Sequence, residues 1–346
     1  MEKPEFLAGS EKRFGNFISN LNDKEKIALI SHCADLDGIV AAKVANRVIN
    51  ADFIKFVDYD DINLGLAKEL KDNKIKKIIM TDLSINNSEF IKEAEKFADI
   101  LIIDHHLFSS DLNSGKTFFM NSEGFCASYL SYYLFSKIQN IDKIDWLVAC
   151  ASVSDWCYFK NQNFMKNTYE KYRDKFIPTI EGIRESERFW KLQDDLSLAI
   201  IYFEDNVKRV YDLIGEDFGD IGNLGRYISE VRKEINENLD EFEREKKEIR
   251  DGYFWELDTK FRIKSYLINF FSSRFINKTL IFGNVDDNIY TISSRRQDGK
   301  VNLPELMKGL IEGFEGANSG GHFKAAGAFV KLEDKEEFER RLFNLR

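Results

Sequence analysis

The sequence predicts an α/β protein, in which a parallel β-sheet flanked by helices is followed by a helical connector and a smaller α/β domain with a mixed sheet. Early in the chain, short apolar runs alternate with amphipathic segments, which is typical of strands and helices around a parallel sheet. Residues 165–252 are charged and helix-patterned, and strand patterns return from about residue 253. We therefore predict domains at 1–164 and 254–346, joined by a helical connector at 165–253.

The first domain is predicted to contain four strands, each a short and mostly apolar run. These strands cover residues 26–31, 52–59, 76–84 and 99–106. The segments between and after them place apolar residues on one face, as amphipathic helices do. These helices cover residues 37–49, 62–73, 87–98, 122–135 and 145–156. Asn87 and Ser88 are the expected cap residues of the third helix.

The later part of the chain changes from helix to strand patterns. Residues 224–250 repeat apolar residues at spacings of three and four, which predicts one amphipathic helix. Its apolar face either packs on a domain or forms the seam of a homodimer. Beyond it we predict two strands within 278–296, a helix at 303–310, and a glycine-rich turn with a closing strand within 316–330.

Charge and composition narrow the classes of partner. The chain has 346 residues and a net charge of −9, and an acidic chain does not coat long nucleic acid by bulk attraction. Short or small anionic substrates are therefore favoured. The four cysteines form no CxxC pair, which favours buried reduced thiols over a zinc site or a disulfide framework. No apolar run approaches a membrane span or a signal-peptide core, so we expect a cytoplasmic protein without a membrane partner.

Three of the four histidines lie in acidic motifs at or beyond predicted strand ends. The motifs are SHCADLDG (31–38), TDLS (81–84) and DHH (104–106), with SVSDW (152–156) as a further acidic motif. Ligand sites in such sheets lie at the carboxyl ends of the strands, so we expect these side chains to lie close together. Buried charges are costly unless they are paired or bound to metal, and the first and third motifs contain no Arg or Lys.

The motifs therefore predict a divalent metal centre. Carboxylate oxygens with one or two imidazole nitrogens and no sulfur suit manganese or magnesium better than structural zinc. The ligands are too many for one ion, but they suffice for two ions that share a bridging carboxylate, the arrangement of enzymes that catalyse phosphoryl displacement.

In this order, the motifs resemble those of the DHH phosphoesterase superfamily, in the branch with a GGGH-type C-terminal domain that includes nanoRNase-like and RecJ-like enzymes. The C-terminal counterparts are NSGGHFKAAG (318–327), with Ser319 where the family often has another glycine, and SSRR (293–296). The resemblance covers most of residues 25–160 and 265–330.

The resemblance implies a role for each motif residue. The first ion would be held by His32, Asp35 and Asp82, and the second by Asp37, Asp82, His105 and Asp155. Asp104 would orient His105, His106 would contact the substrate phosphate, and a water between the ions would attack phosphorus. The substrate-binding residues would be Arg295, Gly320, Gly321 and His322, with Arg296 as a weaker candidate. His32 precedes Asp35 by three residues, whereas family members commonly show two or four.

The implied function is that of a phosphodiesterase with two Mn²⁺ ions, or Mg²⁺ instead, which hydrolyses short oligonucleotides to 5′-mononucleotides. Removal of the 3′-phosphate of pAp is a second activity that the resemblance allows. The alternatives are a cyclic-dinucleotide phosphodiesterase, a single-strand-specific RecJ-like exonuclease and, from another class, an inactive scaffold of this fold in a replication complex. Such a scaffold should have lost ligand carboxylates, whereas every motif here is filled.

Overall fold

The computed structural model describes residues 1–22, 24–85 and 88–345. The chain divides into two compact units, Met1–Ile228 and Ser229–Arg346. The helical residues between 165 and 224 lie within the first of these units, and the predicted three-part division with a connector at 165–253 stays a proposal. Among the described residues, no helix is long and apolar enough to cross a membrane.

The first unit is built on a sheet of five parallel strands in the order β2-β1-β3-β4-β5. The strands are β1 (Lys26–His32), β2 (Phe53–Val57), β3 (Ile75–Thr81), β4 (Asp99–Asp104) and β5 (Thr117–Asn121). The helices are α1 (Glu11–Ser19), α2 (Leu36–Ile49), α3 (Leu64–Asp72), α4 (Ser88–Ala94), α5 (Ala127–Phe135), α6 (Asp145–Ser154), α7 (Gln162–Lys171), α8 (Ile180–Arg184), α9 (Phe189–Tyr202) and α10 (Val207–Leu213). The predicted parallel sheet flanked by helices is confirmed.

Alternation of side chains along the strands gives the sheet two apolar faces. Ala28 and Ile30 of β1 pack in one core cluster with residues of α3 and α4, while α2 packs on β1 and α5 on β4. The strand order reverses between β1 and β3, and in open α/β sheets the crevice at such a point is where ligands bind.

The structure differs from the sequence prediction at three places, and a fourth prediction lies outside the described residues. Strand β5 was not predicted, because its five residues are nearly all buried and show no alternation of apolar and polar residues. Strand β3 ends at Thr81, since Asp82 adopts a left-handed φ of 57°. Beyond β2, Tyr59–Asp61 form a 3₁₀ turn that Asp58 caps. Helix α4 is described from Ser88, so the predicted cap Asn87 lies outside the described residues.

The second unit contains a six-stranded sheet in the order β10-β11-β9-β8-β7-β6. Its strands are β6 (Lys247–Ile249), β7 (Gly252–Leu257), β8 (Thr279–Asp286), β9 (Ile289–Arg295), β10 (Asn318–His322) and β11 (Ala325–Lys331). Its helices are α12 (Lys264–Arg274), α13 (Leu303–Leu310) and α14 (Lys335–Phe343), and α11 (Gly225–Glu245) runs into it from the end of the first unit. Only β7 and β8 pair in parallel among the described strands of this sheet, so the predicted mixed sheet is confirmed.

Helix α11 uses its apolar face within the chain. Ile228, Val231, Ile235 and Phe242 are buried, and the Phe242 ring packs against aromatic rings of the second unit. This burial confirms the prediction that the face packs on a domain. The homodimer seam is not supported, because these side chains are not exposed to a second copy.

Candidate metal centre

The six predicted metal ligands come together at the carboxyl edge of the first unit's sheet. His32 ends β1, Asp82 follows β3, and His105 follows β4. Asp35 and Asp37 lie at the start of α2, and Asp155 lies at the end of α6. Residues from five elements therefore meet at the point where the strand order reverses, as the fold rule for parallel sheets requires.

His32, Asp35 and Asp82 form the first group of ligand atoms. His32 Nδ1 lies 3.4 Å from Asp35 Oδ2 and 3.6 Å from Asp82 Oδ2. His32 Nδ1 and Asp82 Oδ2 are buried, and neither has a hydrogen-bond partner in the described part of the chain. Ligands about 2.1 Å from one small divalent cation lie roughly 3 Å apart, so a cation between these atoms would satisfy both.

Asp37, His105 and Asp155 form the second group. His105 Nε2 lies 3.9 Å from Asp37 Oδ2, and His105 Nδ1 lies 3.8 Å from Asp155 Oδ2. His105 Nε2 also lies 3.3 Å from Asp82 Oδ1. Asp82 thus turns one oxygen toward each group, which is the geometry of a carboxylate that bridges two cations.

Without a metal ion, the negative charge of these carboxylates is only partly neutralised by the protein's own groups. Burial and the carboxylates of Asp82 and Asp155 hold the pKa of Asp37 well above its usual value, and burial raises the pKa of Asp155 to about 6. Burial would lower the pKa of His32, but the carboxylates of Asp35 and Asp82 outweigh it and raise that pKa to about 10. Without a cation, protons must offset the crowded negative charge, and divalent ions would replace them.

Local backbone structure explains how the chain presents these side chains. Asp35 caps α2, with its side chain accepting from Gly38 N at 3.2 Å, and this turn accommodates the three-residue spacing from His32. Gly38 lies so close to the strand that a Cβ there would sit 2.5 Å from the His32 carbonyl oxygen. Asp37 accepts hydrogen bonds from the first backbone N–H groups of α5, at 2.7 and 2.9 Å, which fixes both of its oxygens.

Two hydroxyl groups join the strand ends beneath the site. Ser31 Oγ lies 2.6 Å from Gly38 O and 2.7 Å from Thr81 Oγ1, and all of these groups are buried. The two hydroxyls therefore fix the end of β1, which carries His32, against the end of β3, which precedes Asp82. Sequence reasoning missed both residues, because a buried Ser or Thr in an apolar strand has no distinctive pattern.

Asp104 contacts the other histidine of its motif, which corrects the expectation that it orients His105. Its Oδ1 accepts from His106 Nδ1 at 2.7 Å. His105 instead turns its ring nitrogens toward Asp37, Asp82 and Asp155, although the two histidine rings lie only 4.4 Å apart between centroids. The hydrogen bond to Asp104 raises the pKa of His106. Asn121 Nδ2 donates to His106 O at 2.9 Å and fixes the loop.

Tyr59 is a further residue of this site that the sequence did not reveal. Its ring stacks on His32 with centroids 4.7 Å apart and meets His106 edge-on, and its hydroxyl lies 3.4 Å from His106 Nε2. Burial and the nearby carboxylate of Asp82 raise the pKa of Tyr59, so the phenol stays protonated at neutral pH. Tyr59 lies about halfway between two motifs in the sequence, where nothing marks it as part of either.

The cysteines are free, as predicted, but two of them lie beside the centre. Cys126 and Cys157 are buried, and their sulfur atoms lie within 4.8 Å of each other and of an Asp155 oxygen. Burial holds the pKa of the Cys126 thiol well above its usual value. Asp155 therefore has two thiols beside it, whereas the His32 group contains no sulfur.

The predicted substrate residues of the second unit lie on the two strands that flank β11. Arg295 ends β9 and His322 ends β10, and both pair in register with Ala325 of β11. Gly320 and Gly321 belong to strand β10 rather than to the turn expected there. A Cβ on Gly321 would lie 2.3 Å from Ala325 O, and its φ is 138°, so only glycine fits.

The two arginines of the SSRR motif differ in environment. Arg295 is partly buried, which lowers its pKa, and it donates to Asn269 Oδ1 and Ser294 O. Arg296 is 6% exposed and makes a two-pronged ion pair with Asp298 plus a bond to Thr279. Arg296 therefore stabilises the unit internally, and Arg295 remains the candidate for substrate contact.

The chain matches two family models. These are the DHH family, N-terminal domain, over residues 26–152, and the DHHA1 domain over residues 256–344. Together the two matches cover more than half of the chain, and they contain every residue predicted for the site except Asp155. No curated protein matches the chain significantly.

Solved structures share its fold. Exonuclease RecJ bound to manganese has a TM-score of 0.67 and 12% identity, with 99% of this chain and 94% of the other covered. RecJ in complex with Mn²⁺ from Thermus thermophilus has a TM-score of 0.64 and 12% identity, with 98% and 55% covered. The pGpG-specific phosphodiesterase PggH from Vibrio cholerae has a TM-score of 0.53 and 14% identity, with 92% and 98% covered. The motif resemblance is thus confirmed, and the chain belongs to the DHH superfamily of metal-dependent phosphoesterases, hydrolases that act on phosphoester bonds.

Proposed function

We propose that this chain is a manganese-dependent phosphodiesterase that hydrolyses short oligonucleotides with two cations bound at the metal centre. The observation that carries the proposal is the position of Asp82. It lies between the two ligand groups, one of its oxygens is buried without a partner among the described residues, and the other faces His105 at 3.3 Å. A buried carboxylate oxygen without a partner is costly in a folded protein, and a bound cation would remove that cost.

When bound, such a cation pair activates water as a nucleophile and stabilises both the attacking and the leaving oxygen of a phosphoryl displacement. The chain's own residues supply the rest. His106, held by Asp104, directs Nε2 away from that hydrogen bond and can donate to a phosphate oxygen. The hydrogen bond to Asp104 raises the pKa of His106, which favours the protonated imidazole that can donate from Nε2.

Short substrates are favoured over long single strands for two reasons. The net charge of −9 disfavours extended phosphate binding. A structural neighbour, PggH, is described as specific for the dinucleotide pGpG, while the RecJ neighbours are exonucleases. Removal of the 3′-phosphate of pAp belongs to the same proposal, since it needs the same cation pair.

The test is turnover of a substrate panel with manganese: dinucleotides to pentanucleotides, pAp, cyclic dinucleotides and a long single strand. We expect the highest kcat/KM on linear dinucleotides to pentanucleotides. Preferred turnover of a cyclic dinucleotide or of the long strand would replace the proposal with one of those activities. No turnover on any substrate would leave the inactive scaffold as the correct interpretation.

We also propose that Arg295, Gly320, Gly321 and His322 bind the substrate, as the family resemblance implies. His322→Ala is expected to raise KM about tenfold, the effect of losing roughly 1.4 kcal/mol of binding. Manganese content, measured by elemental analysis, should not change. The control is Lys308→Ala, an exposed side chain on α13 of the same unit. Loss of metal in His322→Ala would contradict the assignment of metal binding to the first unit.

A further inference from the structure

An open cleft of about 500 Å³ adjoins the metal centre in the first unit. Among the described residues, its lining includes Tyr59, Ile62, Asn63, Ser84 and Ile85. With Asp60 and Ser88, the lining thus combines one aromatic ring, two isoleucines, one carboxylate and three short polar side chains. Small-molecule sites commonly combine an apolar lining with a few polar groups of this kind.

Tyr59 joins the cleft to the residues that handle phosphate. It lines the cleft, yet it also stacks on His32 and brings its hydroxyl within 3.4 Å of His106 Nε2. A ligand whose phosphate reached His106 would therefore have its next chemical group beside the Tyr59 ring. In a nucleotide, that group is the sugar with its base.

The backbone that carries the Tyr59 ring is held in place before any ligand binds, and the ring itself stacks on His32. Tyr59 begins the 3₁₀ turn, where Asp58 Oδ1 accepts from Tyr59 N at 2.7 Å and Asp61 Oδ2 accepts from Asp58 N at 3.0 Å. Despite these contacts, 39% of the residue is exposed. A large ring that is fixed but left partly exposed is suited to stacking, because little conformational freedom is lost on binding.

We propose that this cleft is a nucleobase subsite, in which Tyr59 stacks on the base of the nucleotide next to the scissile phosphate. Stacking on an aromatic ring is tolerant of base identity, while Ser84 in the lining offers a hydroxyl group to base edges. The inference deepens the proposed function and rests on it for the identity of the scissile phosphate, but the binding of a base can be measured without turnover.

The experiment compares adenosine 5′-monophosphate with ribose 5-phosphate, two ligands that share sugar and phosphate and differ in the base. Binding of each to the manganese-loaded full chain is measured by calorimetry. We expect the wild-type chain to bind the mononucleotide at least about tenfold more tightly, as one stacked base allows. Tyr59→Ala should reduce this ratio to about twofold or less, and Tyr59→Phe should preserve it, because the phenyl ring still stacks.

Several outcomes would overturn the subsite. The first is equal binding of the two ligands by the wild-type chain. The second is an equal weakening of the binding of both ligands in Tyr59→Ala, which would mean that Tyr59 acts through the histidines. Ile138→Ala, an exposed residue in the same unit, is the surface control. If Tyr59→Ala does not fold, Tyr59→Leu is judged by the same ratio. If no substrate of the panel is turned over but the binding ratio is preserved, the proposed function is wrong. The nucleobase subsite is still supported in that case.

Discussion

Asp82→Asn is expected to lower kcat/KM by about 10³-fold or more, because bound cations contribute several kcal/mol of charge stabilisation to such reactions. The substitution keeps the shape of the side chain and removes its charge. Asn also tolerates the left-handed backbone at this position, where φ is 57°. The loss should therefore come from the metal centre and not from unfolding. Steady-state kinetics together with manganese content measure it.

Thermal unfolding distinguishes a loss of activity caused by the metal centre from a loss caused by unfolding. Without metal, Asp82→Asn should unfold at a temperature close to that of the wild-type chain, because it removes a buried oxygen without a hydrogen-bond partner but also a charge that faces His32 and His105. Manganese at about 100 times its Kd should stabilise the wild-type chain by about 2.7 kcal/mol, and the variant by much less. Asp72→Asn, an exposed carboxylate at the end of α3, is the matched control and should behave as wild type. Full activity in Asp82→Asn would contradict a shared carboxylate.

His106→Ala should lower kcat by about 10²–10³-fold, the usual effect of removing one hydrogen-bond donor to a developing negative charge. Its manganese content should equal that of the wild-type chain, because the two ligand groups do not need His106. Metal content distinguishes a phosphate contact from a metal ligand. His106 also lies close enough to Asp82 and His105 to serve as a ligand. Metal analysis of the purified variant decides between the two roles.

Asp104→Asn tests the orienting role of Asp104 and is a milder change to the site than His106→Ala. It weakens the 2.7 Å hydrogen bond to Nδ1 but leaves the imidazole in place, so we expect a smaller loss, of about 10- to 100-fold. A loss in Asp104→Asn that came with reduced metal content would mean that Asp104 acts on His105 after all. A loss larger than that of His106→Ala would contradict an orienting role for Asp104.

The sequence predicts which residues meet, because topology decides that. His32, Asp82 and His105 each lie at the carboxyl end of a strand, and parallel strands bring those ends to one edge whatever the loops do. The same rule needs no knowledge of side-chain contacts. It could therefore place the metal ligands from short motifs separated by long stretches of chain.

The finer contacts could not be predicted, because they depend on the path of the backbone within a few residues. Asp104 contacts His106 because of the backbone path just beyond β4, and the DHH letters alone fit either partner. Tyr59 reaches both histidines through a 3₁₀ turn where the sequence predicted a continuing strand. Cys126 and Cys157 lie far apart in the sequence and meet only when α5 and α6 pack together.

The most direct test of the metal centre is anomalous scattering from crystals grown or soaked with manganese. We expect two peaks about 3.5–4 Å apart, as paired cations show. One should contact His32 and Asp35, the other Asp37, His105 and Asp155, with Asp82 reaching both. Peaks elsewhere on the chain, or no peak among these side chains at saturating manganese, would contradict a cation pair held by this cluster.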